Sequence, residues 1–86
     1  MIDNASNPVA WVLLTDELAE AREHLDDLLT KMVSAGEIDE EIFRVNLGHV
    51  YAHLNRAWHS RNHEAQITDD QWPKFSQFPI DVPPVG

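Results

Sequence analysis

The chain has 86 residues, room for one domain and not for two. Fifteen acidic residues against six lysines and arginines give a formal net charge of −9, which excludes binders of nucleic acid and of anionic membrane, since both need a basic surface. There is no cysteine, which excludes a disulfide framework and thiolate chemistry and fits a reducing, cytoplasmic setting. The longest apolar run, Val9 to Leu14, is too short for a membrane span, and no signal peptide is expected.

The first element is a helix over residues 8–35. Asn7 is a favoured N-cap, and Pro8 suits the first helical position, where its missing N–H costs nothing. Trp11, Leu14, Leu18, Ala21, Leu25, Leu28 and Met32 then recur at alternating spacings of three and four, a sustained heptad seam. Leu29 and Val33 widen the stripe beyond a strict coiled-coil seam. Gly36 stands where a left-handed cap belongs.

A second helix is expected over residues 40–62. Asp39 is its N-cap, and Glu40 and Glu41 suit the positive end of the helix dipole. Phe43, Leu47, Val50, Leu54 and Ala57 form its seam, flanked by Ile42, Tyr51 and Trp58. Arg56, His59, Arg61 and His63 crowd the C-terminal turns, where cations are favoured. The connection is so short that the helices must run antiparallel. Gly48, mid-helix, is read as allowing close approach of another helix or of the tail.

The period then disappears. Thr68 and Gln71 fit a capping box for a single helical turn before Pro73. Residues 68–85 hold Trp72, Phe75, Phe78, Ile80 and Val82 among four of the five prolines, and are expected to form an extended strap along the hairpin groove. The fold class is therefore all-α, a two-helix antiparallel hairpin with an aromatic, Pro-rich C-terminal strap in one domain. Two helices cannot bury stripes this wide, so a homodimer forming a four-helix bundle is the leading architecture. The alternative is a monomer whose second flank is covered by the strap.

Charge is segregated. Residues 1–41 hold eleven acids against Arg22 and Lys31, while residues 42–86 are balanced at four and four. Asp16, Glu20, Glu23 and Asp27 form the candidate interaction face, suited to a basic protein partner. The leading functional expectation is a small acidic, non-enzymatic interaction or regulatory module, in the class of antitoxins, immunity proteins and phage regulators. On this reading no cofactor is needed.

The alternative is a metal-binding bundle. His49 and His53 are one turn apart and share a helical face, and antiparallel pairing places position 24 level with 49 and position 20 level with 53. Glu17, Glu20, His24, His49 and His53 could thus converge on one flank as ligands for Zn, Fe or Mn. His59 and His63 read instead as a polar helix terminus, and Arg56 and Arg61 as partners for Glu17 or Asp16 across the hairpin. No enzyme motif stands out: Ser34 and Ser60 sit in no nucleophile elbow, and the three glycines are scattered.

Overall fold

The computed structural model describes residues 1–63 and 65–86. Among the described residues there are three helices: α1 (Pro8–Ala35), α2 (Glu40–His59) and the short α3 (Gln71–Phe75). No helix among the described residues is long and apolar enough to cross a membrane.

The caps fall where the sequence puts them. The Asn7 side chain accepts a hydrogen bond from the Ala10 amide, and Pro8 opens the helix. Gly36, with φ of 73°, ends α1 in the left-handed region and donates its amide to the Met32 carbonyl at 2.8 Å. Asp39 Oδ2 accepts from the amides of Glu41 and Ile42, both at 3.1 Å, and starts α2.

α2 stops three residues earlier than expected. Residues 60–62 continue as turns. Ser60 donates its amide to the Arg56 carbonyl, and the Arg61 guanidinium caps the Trp58 carbonyl at 2.7 Å, so these terminal carbonyls are satisfied without another helical turn.

α1 and α2 pack antiparallel along their length. The buried apolar core is thin: Ala10, Ala21, Leu28, Val50 and Ala57. Beside it lie four buried polar residues, His53, Asn55, Arg56 and Ser60. Part of each seam stays outside: Leu18, Leu25 and Leu54 are 45, 48 and 43% exposed. Gly48 does not serve a close approach within the chain. A Cβ added there would meet nothing within 4 Å, since the residue lies on the outer face of α2.

The C-terminal segment docks on the last turns of α2. Asn55 Nδ2 donates to the Ser76 carbonyl at 2.9 Å, and Trp58 Nε1 donates to Asp81 at 3.0 Å. Phe75 packs against the rings of His59 and His63. Trp72, Phe78 and Ile80 remain exposed, so this segment does not cover the half-open seam.

Candidate functional site

Three histidines meet on one flank of the hairpin. His24 projects from α1, and His49 and His53 project from successive turns of α2. Their ring centroids lie 4.1 Å (His24–His49), 5.1 Å (His24–His53) and 5.0 Å (His49–His53) apart. One nitrogen from each ring lies within 4.8 Å of the other two. Exposure is graded: His49 is open to solvent, His24 half-buried and His53 buried. Packing against its neighbours desolvates His49 and lowers its pKa below the ordinary histidine value; His24, His53 and Arg56 push the same way, and Glu20 opposes them.

A carboxylate and a guanidinium stand behind His53. Glu17 Oε2 lies 2.8 Å from His53 Nδ1, and Glu17 Oε1 accepts from Arg56 Nε at 3.1 Å. Arg56 Nη2 also approaches His53 Nδ1, at 3.1 Å. One nitrogen cannot donate to Glu17 and accept from Arg56 together. A carboxylate only accepts, so the shorter contact makes Nδ1 the protonated nitrogen and leaves the arginine approach as a contact. The Nε2 of a neutral His53 ring then carries the lone pair. That atom is buried and has no hydrogen-bond partner among the described residues. Its nearest carboxylate oxygen is Glu20 Oε2, at 3.6 Å.

Of the five residues expected on this flank, the three histidines come together and Glu20 faces them. Glu17 is present, with both its oxygens engaged by His53 and Arg56. From its spacing Arg56 is expected to meet Glu17 or Asp16 across the hairpin, with no place beside the histidines. Its spacing of three from His53 was the available signal. Ser76 and Trp72 were missed entirely: Arg56 Nη1 donates to Ser76 Oγ at 2.7 Å, and its guanidinium lies 4.0 Å from the Trp72 ring centroid. Nothing local in a Pro-rich tail announces such partners.

The outer acidic face is solvent-exposed, with Asp16, Glu20, Glu23 and Asp27 all open. Asp27 pairs with Lys31 at 2.9 Å, whereas Asp16 and Glu23 form no ion pair among the described residues.

The other flank of α1 carries a second feature. Leu18, Ala21, Leu25, Leu29, Val50 and Leu54 line an open, apolar groove of about 400 Å³. Arg22 and Asp26, one turn apart on α1, stand at its edge. α1 thus divides the hairpin into a histidine flank and an apolar flank.

No known protein family matches the chain, and neither curated proteins nor solved structures yield a match to it.

Proposed function

We infer that this chain is a non-enzymatic interaction module that works as a homodimer, two hairpins joining their apolar flanks in a four-helix bundle. The observation that carries the reading is the open groove. Leu18, Leu25 and Leu54 are seam residues by their spacing and Leu29 widens the same stripe, yet all four remain half-exposed in a single chain. The C-terminal segment 68–85 acts as a strap at the far end of α2, where it holds Asn55, Arg56 and Trp58 and leaves the groove to another molecule.

Self-pairing suits the charges at the groove. A two-fold axis crossing α1 near residue 24 would run the two α1 helices antiparallel. Each Arg22 would then face the Asp26 of the partner, and Leu18 would lie near the partner's Leu29. Arg22 is the one arginine or lysine between Pro8 and Thr30, and it makes no ion pair among the described residues.

Sedimentation velocity tests this. The wild type is expected as a dimer and Leu25→Asp as a helical monomer. Arg22→Asp or Asp26→Arg alone should weaken the dimer, and the two together should restore it. A wild type that stays monomeric at every accessible concentration overturns the reading.

Asp16 and Glu23, exposed and without an ion pair among the described residues, favour a second role for the same module, in which the acidic face, with Glu20 and Asp27, docks a basic protein in a cytoplasmic setting. Charge reversal at Asp16, Glu23 and Asp27 should then abolish binding to such a partner and leave the fold and the dimer intact.

A further inference from the structure

We propose that His24, His49 and His53 bind one divalent transition-metal ion per chain, zinc foremost, with Glu20 as the fourth ligand and Glu17 positioning His53. Three imidazoles and a carboxylate form a borderline nitrogen and oxygen set, the kind that zinc takes in four-coordinate sites.

Four observations support the assignment independently of the dimer. The first is convergence: residues from two helices, 25 to 29 positions apart in sequence, bring one nitrogen each within 4.8 Å of the others. Zinc–nitrogen bonds of about 2.0–2.1 Å in a tetrahedron require nitrogens about 3.3–3.4 Å apart. The nitrogens therefore need to close by up to about 1.5 Å, the kind of shift that the broad χ2 torsion of an imidazole allows.

The second is the orphaned His53 Nε2. A buried acceptor with no hydrogen-bond partner is unfavourable, and that penalty disappears if the lone pair points at a metal ion. The third is the support behind it. Glu17 fixes the Nδ1–H tautomer at 2.8 Å and is itself held by Arg56, a carboxylate–histidine pair of the type that orients metal ligands. The fourth is charge. Glu17 and Glu20 outweigh Arg56 by one negative charge, and the outer acidic face of α1 adds to a potential that draws cations.

The site also accounts for the crowding of three imidazoles. With centroids 4.1–5.1 Å apart they would repel one another when protonated, whereas neutral rings can share a cation between them.

Isothermal titration calorimetry of tag-free, chelator-stripped full chain with Zn²⁺, joined to visible absorption with Co²⁺, tests the assignment. One ion per chain and the intense visible band of tetrahedral cobalt are expected. His24→Gln with His49→Gln, at the two more accessible rings, should weaken binding at least about 100-fold while circular dichroism shows the helices intact. Glu17→Gln should weaken it about 10- to 100-fold and retain the tetrahedral band, as befits a residue that acts through His53. His59→Gln with His63→Gln should leave affinity unchanged.

Absence of saturable Zn²⁺ binding overturns the proposal, as does binding that survives loss of both His24 and His49 or that disappears with His59 and His63. The monomeric Leu25→Asp variant should bind one ion per chain as well, so failure of the dimer and failure of the metal site read out separately.

Discussion

Glu17 on α1 holds two residues of α2 at once, His53 Nδ1 through one oxygen at 2.8 Å and Arg56 Nε through the other at 3.1 Å. His53 and Arg56 are three apart and so lie on one face of α2, which lets a single carboxylate span them. Sliding α2 by one residue would break both contacts. The pair therefore sets the register that brings His24 level with His49.

Glu17→Ala should accordingly be among the most destabilising substitutions on α1. Arg56 is 3% exposed and would be left as an uncompensated buried charge. A loss of about 3–5 kcal/mol is expected by urea denaturation. A loss below about 1 kcal/mol would mean that the carboxylate does not clamp the hairpin.

Two glycines should respond in opposite directions to alanine. Gly36 has φ of 73°, where a Cβ is strained, so Gly36→Ala should cost about 1 kcal/mol. Gly48 lies mid-helix with open space around a Cβ, so Gly48→Ala should stabilise by about 0.5–1 kcal/mol. Thermal or urea denaturation of the two variants checks the pair; a destabilised Gly48→Ala would reveal a contact on the outer face of α2.

Acid should destabilise the metal-free protein through His49. His24 and Glu20 face this ring from α1, and His53 and Arg56 from its own helix. Its folded pKa lies below the ordinary value of 6.5, so around pH 6 the unfolded chain binds more protons than the folded one. Stability should fall as pH drops below 6.5 and lose this dependence above it. Denaturation midpoints in chelator at pH 5.5 and 7.5 measure the effect, and His49→Gln should flatten the difference.

Salt should strengthen the dimer. Two chains of charge −9 repel over distances that exceed the screening length of about 10 Å at 0.1 M salt, while apolar contacts between the grooves are not weakened by ions. Sedimentation equilibrium at low and moderate NaCl should show tighter association at the higher concentration. The opposite trend would point to an interface dominated by ion pairs.

The hairpin was legible in the sequence because capping and apolar period agree. Asn7 with Pro8, Gly36 and Asp39 mark ends that the structure reproduces, and antiparallel level-pairing by itself places His24 beside His49. Two things were not legible. The end of α2 depends on Arg61 turning back onto the Trp58 carbonyl, a contact without a period. The role of Glu17 depends on which of two neighbouring carboxylates turns inward, and burial of Arg56 beneath Trp72 and Ser76 decides that from 16 to 20 residues further along the chain. Helical spacing places both Glu17 and Glu20 on the flank and cannot rank them.

No residue between Leu28 and Val50 is buried, so the whole tip of the hairpin is held by half-covered side chains and its own helical hydrogen bonds. Opening there exposes little new apolar surface, whereas opening at the other end must uncover Ala10, Ala57 and the Arg56 cluster. The isolated chain should breathe from its tip: amides on either side of Gly36 would exchange with deuterium fastest among the helical ones, and those near Ala21 and His53 slowest. A fluorophore or an inserted peptide would accordingly be carried best at the tip, with the histidine flank undisturbed.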